Sequence, residues 1–294
     1  MVNSYTYTHD SAYGGSTITS NFHNTSASYG QAANLVTKVE ANSNSFSYSN
    51  IGAGATSSSP STSHTPKYTF SSGSTSTTTP DTSYGSLTTS VTYTMANNTT
   101  NGFTACNSST GVLTATNRGT TIGNARTSAN VVKSLTYTWK HSSTYGSGSV
   151  GSGNITKSAT CTQEGNYVTD ITSTAASLSY PNISASATSA SPSYDFGDVQ
   201  YTFSSGSKST TNPGTTYGTY SGTLKYSLAA SQNGFTSVNT TSGVLTATNR
   251  STTIGNARAS ATVTCTLSMS WTPTSTYNAA GTKTVTRTAT ATCT

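Results

Sequence analysis

Residues 111–126 read GVLTATNRGTTIGNAR, and residues 243–258 read GVLTATNRSTTIGNAR, at an offset of 132 positions. Fifteen of these sixteen positions are identical, which a biased composition alone does not produce. Self-similarity at a fixed spacing is the signature of a chain built from repeated structural units. The sequence is therefore organised as copies of one unit, and the fold of that unit decides the fold of the protein.

The repeat extends over the whole chain on both sides of this segment. Further matches are Gln31 with Gln163, Asn34 with Asn166, Trp139 with Trp271, and Cys161 with Cys293. Because residues 1–34 match only the end of a unit, the sequence predicts an orphan hairpin there. It predicts a first complete unit at residues 35–167 and a second at residues 168–294.

The composition favours strands and excludes several classes of protein. Ser and Thr account for 119 of the 294 residues, and charged residues for only 7%. Helical bundles are excluded because Leu, Glu and Lys are sparse, and membrane insertion is not expected because no apolar run approaches ~18 residues. Lys and Arg are scattered singly, which argues against a nucleic-acid partner. The first residues contain no secretory leader, and abundant Thr, Val and Tyr favour an all-β fold.

Alternation of apolar and hydroxyl residues predicts where the strands lie. It is clearest at 261–271, where Ala261, Val263 and Cys265 share one parity. Further strands of the second unit are predicted at 168–172, 199–203, 223–228, 235–238, 244–248 and 285–293. Turn-forming residues separate them, so each unit is predicted to be a β-sandwich. A β-solenoid, the rival for Thr-rich chains, has a far shorter period.

The segments around the repeat resemble a known class of domain. The pattern GF-x₃-N-x₃-GVLTAT, followed by TTIGNAR and an alternating strand, resembles bacterial immunoglobulin-like repeats of the group 2 type. The segment Thr160–Gly165, TCTQEG, resembles the strand that ends similar repeats in surface proteins of Bacteroidota and of their phages. The resemblance implies tandem Ig-like sandwiches. It also implies a role on a phage virion or on a bacterial cell surface.

No pattern of residues indicates catalysis, a metal or a cofactor. Asp195 and Asp198 are close enough in sequence to bind Ca²⁺, but the first unit has no acids there, so a solvated loop is favoured. His9 and His141 are equivalent positions and are expected to be turn residues. We therefore predict a protein that is not an enzyme.

The cysteines are predicted to be free thiols. Cys265 and Cys293 have the inward parity of the last two strands, where they could face each other. The first unit has Lys133 in place of Cys265 and cannot form the same bridge. The sequence therefore favours buried thiols over a disulfide.

Tyrosine is the residue type best suited to binding here, since exposed aromatic rings stack on sugars and form interface hot spots. Four tyrosines fall in predicted loops, namely Tyr84, Tyr145, Tyr217 and Tyr277. Three more lie in the orphan segment, namely Tyr5, Tyr7 and Tyr13. A lone hairpin exposes unpaired edge groups, so we expect this segment to add to a neighbouring subunit's sheet or to dock on a partner.

The sequence favours a structural role. We expect a phage virion surface protein, such as a capsid decoration, head fibre or tail fibre, which assembles through sheet edges and loops. Its expected partners are other virion or surface proteins, in a homo-oligomer or multi-copy assembly. The alternative is a bacterial cell-surface adhesin, or a module that binds host glycans.

Overall fold

The computed structural model describes residues 2–3, 6–8, 17–19, 23–24, 28–96, 102–229 and 234–293. Within these ranges the fold is built from strands, with a 3-10 helix at Ser275–Ala280. The expected all-β fold of tandem sandwiches with an N-terminal hairpin is confirmed.

The strands follow the repeat. Four short strands come first: β1 Val2–Asn3, β2 Thr6–Thr8, β3 Thr17–Thr19 and β4 His23–Asn24. The first repeat contributes β5 Val36–Tyr48, β6 Ser57–Ser58, β7 Pro60–Phe70, β8 Thr75–Ser76, β9 Gly85–Met95, β10 Phe103–Cys106, β11 Leu113–Ala115, β12 Ala129–His141, β13 Ser149–Gly151 and β14 Ile155–Cys161. The second contributes β15 Val168–Ser173, β16 Ser177–Ser179, β17 Ser189–Ala190, β18 Ser193–Asp195, β19 Val199–Phe203, β20 Lys208–Ser209, β21 Gly218–Leu228, β22 Phe235–Val238, β23 Leu245–Ala247, β24 Ala261–Pro273 and β25 Lys283–Cys293.

Equivalent strands pair in the same way in both repeats. In the first repeat β12 pairs with β9, β13 and β14, and in the second β24 pairs with β21 and β25. Strands β5, β7 and β8 form another sheet, which corresponds to β15, β19 and β20. The triplets β10-β11-β6 and β22-β23-β17 correspond as well. The sequence repeat is thus a repeat of antiparallel sheets.

The cores lie under the alternating faces of β12 and β24. Side chains of successive strand residues point to opposite faces, so every second residue is buried. In β12 the alternating residues Val131 and Leu135 are fully buried, and in β24 so is Val263. The two tryptophans, Trp139 and Trp271, are 1% exposed each, as the parity of their strands predicted.

The chain divides into two compact units. One comprises Met1–Glu40, Pro66–Thr88 and Tyr137–Ser152. Its core contains Tyr68 edge-on to Trp139, with ring centroids 5.7 Å apart. The other comprises Ala41–Thr65, Thr89–Thr136 and Gly153–Thr294. It contains the whole second repeat, in which Tyr201 and Trp271 repeat that edge-on pair at 5.4 Å.

The register of the last two strands separates the two cysteines that their parity placed on one face. Cys265 lies opposite Ala289, and Cys293 lies opposite Ala261. Cys265 is a buried free thiol, and Cys161 is another. Parity fixes the face of a sheet, whereas register along the strand decides which residues meet.

A buried lysine distinguishes the first repeat from the second. Lys133, at the position of Cys265, is fully buried on β12. Its Nζ donates to Thr62 Oγ1 at 2.6 Å, and it lies 3.4 Å from the carbonyl oxygen of Ser45. The imidazole Nδ1 of His64 is 3.5 Å away. Burial lowers the pKa of Lys133, and both burial and this neighbouring ammonium lower the pKa of His64.

Candidate functional site

Tyr84 and Tyr145 form an exposed aromatic pair at one end of the first repeat. Their ring centroids are 5.0 Å apart at an interplanar angle of 68°, and the residues are 48% and 41% exposed. The turn after β12 holds the pair, because Ser142 N donates to the carbonyl oxygen of Tyr84 at 3.0 Å. The structure therefore brings together two of the tyrosines that the sequence selected.

A cavity of about 200 Å³ lies beside this pair. Its apolar lining includes Leu35, Val36, Phe70, Pro80 and Trp139, and its polar lining includes Asn34, Asp81 and His141. His141 was expected in a turn; it is the last residue of β12, and its Nε2 lies 3.0 Å from the carbonyl oxygen of Val36. His9 lies outside the described residues.

The polar lining of the cavity carries a carboxylate. The backbone N–H of Ser83 donates to Asp81 Oδ1 at 2.8 Å and lowers the pKa of that carboxyl. Within the described part of the chain, the indole Nε1 of Trp139 is buried without a hydrogen-bond partner.

The second repeat carries a similar pair with different surroundings. Tyr217 and Tyr277 lie 5.1 Å apart at 64°, and both are half-buried against the second core. Pro273 replaces His141, and Gly214 replaces Asp81 at this end of the repeat. The second pair therefore lacks the polar groups that accompany the first.

The candidate assembly segment is described only in part. Tyr5 and Tyr13 lie outside the described residues, and Tyr7 is 67% exposed on β2. Strand β2 pairs with β3, and β1 pairs with β4, both antiparallel.

A joint of buried polar side chains connects the two repeats, and the sequence had shown it only as matching positions. Gln163 and Asn166, between β14 and β15, are fully buried. Gln163 Nε2 donates to the carbonyl oxygens of Ala55 and Thr116, each at 3.1 Å, and its Oε1 accepts from Arg126. Polar groups at this depth are costly unless they are hydrogen-bonded, so these bonds fix the segment in place.

Asn166 completes the joint from its other side. Its Nδ2 donates to the carbonyl oxygens of Gly119 and Thr121 in the first repeat, at 2.9 and 3.1 Å. Its Oδ1 accepts from Ser204 Oγ and Ser205 N in the second repeat, at 3.1 and 2.9 Å. One carboxamide thus joins loops of both repeats.

An apolar contact accompanies these bonds. Ile122 of the first repeat is 8% exposed and belongs to the apolar cluster of the second repeat, together with Val168, Phe203 and Trp271. The sequence contains one signal of this joint, because the spacing between Gln31 and Asn34 recurs between Gln163 and Asn166.

The described residues contain no group of three or more His, Cys, Asp or Glu side chains able to hold a metal. Of the pair considered for calcium, Asp195 accepts at Oδ1 from the backbone N–H of Gly197 at 2.6 Å. Burial raises the pKa of the Cys161 and Cys265 thiols, which disfavours reactive thiolates. In the same part of the chain, no helix is long and apolar enough to cross a membrane.

No protein-family model and no curated protein matches this chain. Among solved structures, repeats EC22-24 of mouse cadherin-23 match at 11% identity and a TM-score of 0.26, over 87% of this chain and 67% of that one. Repeats EC1-3 of mouse protocadherin-24 match at 9% identity and 0.25, over 100% and 80%. A SusE-like surface-located polysaccharide-binding protein from the Bacteroides thetaiotaomicron heparin utilisation locus matches at 10% identity and 0.21, over 99% and 43%.

Proposed function

We propose that this chain is a non-enzymatic structural protein of an exposed surface, in the first place a phage virion surface. There it would serve as a capsid decoration, a head fibre or a tail fibre. The observation that supports this most directly is the joint at Asn166, whose buried carboxamide donates to loops of the first repeat and accepts from Ser204 and Ser205 of the second. Such a joint suits a protein that bears load or spaces other components, since each repeat braces the next.

The composition agrees with this role. Hydroxyl side chains occupy the outward face of the alternating strands, where charged residues stand in most soluble proteins. They solvate the surface with few charges. Repeats of the bacterial Ig-like type occur on virions and on cell surfaces, which is the resemblance noted in the sequence.

Immunogold electron microscopy with an antibody against the purified chain tests the role. Gold on purified virions supports the virion assignment, whereas gold on intact cells alone supports a bacterial surface protein. The extracellular setting would be wrong if only the cell interior were labelled. Fixed, permeabilised cells provide the control for access of the antibody.

Glycan binding at the cavity beside Tyr84 and Tyr145 is the second candidate. The specific observation is the combination of two exposed rings with the Asp81 carboxyl in the lining of the same cavity. Aromatic faces stack on sugar rings, while carboxylates accept hydrogen bonds from hydroxyl groups.

A glycan array with three variants tests this candidate. Loss of signal in Tyr84→Ala and Tyr145→Ala, with signal retained in Tyr217→Ala, would assign binding to the cavity of the first repeat. Loss in Tyr217→Ala alone would move the site to the second repeat. Absence of any signal from the wild-type chain would remove glycan binding from consideration.

A further inference from the structure

Two sheets of the first repeat meet at a histidine and a lysine. Lys133 lies on β12 and is fully buried, while His64 lies half-buried on β7 in the other sheet. The Nζ atom of Lys133 and the Nδ1 atom of His64 are 3.5 Å apart. We propose that this pair is an acid-sensitive contact, at which protonation of His64 weakens the packing of the two sheets in the first repeat and leaves the second repeat unaffected.

The ammonium group of Lys133 is held by groups from one sheet. It donates to Thr62 Oγ1 at 2.6 Å, and the carbonyl oxygen of Ser45 lies 3.4 Å away. A neutral imidazole carries its proton on one nitrogen and accepts at the other, so His64 with its proton on Nε2 accepts at Nδ1. These three groups belong to β5 and β7, and the lysine thus connects both strands to β12.

Protonation of His64 removes an acceptor and adds a like charge. Both nitrogens of an imidazolium are donors, so Nδ1 then no longer accepts from Lys133. Two positive charges would lie 3.5 Å apart, at a buried ammonium group that solvent screens poorly. The folded repeat therefore favours the neutral ring, and burial together with the Lys133 ammonium lowers the pKa of His64.

The titratable groups on the neighbouring strands are named here because they act on the same pair. Lys157 of β14 lies opposite the buried lysine in the register and is a further cation. Tyr93 of β9 is buried in the same core. Glu40 of β5 is the one carboxylate on strands β5, β7, β9, β12 and β14, and it pairs with Lys38 at 2.6 Å and with Lys67 at 3.7 Å. The carboxylate of these strands is thus engaged with other cations.

The second repeat has neither the histidine nor the lysine. At the offset of 132 residues, Phe196 takes the position of His64, and Cys265 takes that of Lys133. Both are buried in the apolar cluster of the second repeat. The corresponding contact between sheets contains no imidazole, so the second repeat serves as a control within the same chain.

The direction of the pH effect follows from the protons bound in each state. The unfolded chain has the ordinary His64 pKa of 6.5, whereas the folded chain has a lower one, so the unfolded chain binds more protons below pH 6.5. The stability of the first repeat therefore falls as the pH falls from 6.5 toward the lowered value. At pH 5, about 1.5 pH units below 6.5, the loss is at most about thirtyfold in the unfolding equilibrium.

Hydrogen exchange of the full chain, measured by mass spectrometry at pH 7 and pH 5, tests the proposal. Rates are divided by the intrinsic rate at each pH, so that protection reports the opening of each strand. We expect the protection of β5, β7 and β12 to fall between about threefold and about thirtyfold at pH 5. Protection of β15, β19 and β24, the equivalent strands of the second repeat, is expected to change by less than about twofold.

Variants at the pair assign the effect to His64. His64→Gln retains a group that accepts from the ammonium but cannot titrate, so the fall in protection at pH 5 is expected to shrink to less than about twofold. The double variant His64→Phe with Lys133→Cys carries the residues of the second repeat, and the same result is expected. It serves as the second test if glutamine is poorly tolerated. His141→Gln, at a histidine outside the pair, is the control and is expected to retain the acid-dependent loss.

Nuclear magnetic resonance separates the charge of Lys133 from the burial of the ring. The imidazole signal of His64, assigned by its absence in His64→Gln, is expected to titrate below pH 6.5 in the wild-type chain. In Lys133→Met, which keeps an apolar side chain of similar length but has no charge, the midpoint is expected to move back toward 6.5.

A fall in protection that is equal in both repeats, or that persists in His64→Gln, overturns the proposal. So does a first repeat that keeps its protection at pH 5, or a His64 signal that titrates at the same pH with and without the Lys133 ammonium. The proposal is independent of the surface role, which immunogold labelling tests separately.

Discussion

Residue 251 is the one position at which two otherwise identical loops of the repeats differ. Ser251 has a φ of 45° and is the one non-glycine residue with positive φ in the described part of the chain; its equivalent, Gly119, has a φ of 53°. This left-handed conformation costs a residue with a Cβ about 1–2 kcal/mol, whereas glycine adopts it readily but has more entropy to lose on folding.

We therefore expect Ser251→Gly to raise the free energy of unfolding by about 0.5–1 kcal/mol. Gly119→Ser is the matched control and is expected to lower it by a similar amount, since a Cβ there meets nothing within 4 Å. Urea denaturation of both variants measures the changes. Equal stability of Ser251→Gly and wild type would show that the backbone relaxes without cost.

Lys133 gives the first repeat a dependence on pH that the second lacks. Its pKa is lowered by burial, so the folded chain binds fewer protons at this site than the unfolded chain. Stability contributed by this site therefore rises with pH, through the window between the lowered pKa and the ordinary value of 10.5.

We expect Lys133→Met to raise the free energy of unfolding at pH 7 by about 1–3 kcal/mol, because an apolar group replaces a desolvated charge. The gain is expected to shrink as the pH rises toward 10.5, because the folded wild-type lysine, whose pKa is lowered, is then neutral and no longer places a charge in the core. Urea denaturation at pH 7 and pH 10 measures it, and Lys225→Met on the exposed face of β21 is the control. A gain that does not depend on pH would assign the effect to packing.

Strands were predictable from the sequence because the alternation of buried and exposed side chains along a strand involves only neighbouring residues. The runs at 199–203 and 235–238 are strands with those bounds, and 261–271 lies within β24. Short pairings such as β16 with β18 were missed, since segments of three residues are too short to establish a period. The burial of Lys133 was missed as well. Its ammonium group is stabilised there by hydrogen bonds to Thr62 and Ser45, which are 71 and 88 positions away in the chain.

The alternation of β24 leads to a prediction about its two faces. Val263 is fully buried, while its neighbour Thr262 is exposed. We expect Val263→Ala to cost about 2 kcal/mol, from two lost methyl groups and the remaining cavity, and Thr262→Ala to change stability by less than ~0.5 kcal/mol. Thermal or urea denaturation compares them. Similar losses at both positions would contradict the sandwich assignment of this strand.

At the scale of the whole molecule, the repeat makes Gln163 and Asn166 more than loop residues. In a tandem array, stability is the sum of the repeats and of the interfaces between them. The joint is such an interface, and it consists of the buried hydrogen bonds of Asn166 together with one inserted isoleucine. From one copy of the repeat, the sequence offers no reason for Asn166 to be buried, since Ser204 and Ser205, which donate to its Oδ1, belong to the neighbouring repeat.

The two tryptophans allow the coupling through this joint to be measured. Each repeat has one, so Trp271→Phe leaves Trp139 as the reporter of the first repeat, and Trp139→Phe leaves Trp271 for the second. In the wild-type joint we expect the two fluorescence transitions in urea to lie close together. Asn166→Ala leaves carbonyl groups of the first repeat and donors of the second without their partner, so it is expected to remove about 1–3 kcal/mol of coupling and to separate the midpoints. Gln31→Ala, at an exposed position, is expected to leave both midpoints in place, and midpoints that stay together in Asn166→Ala would show that the repeats are coupled by other contacts.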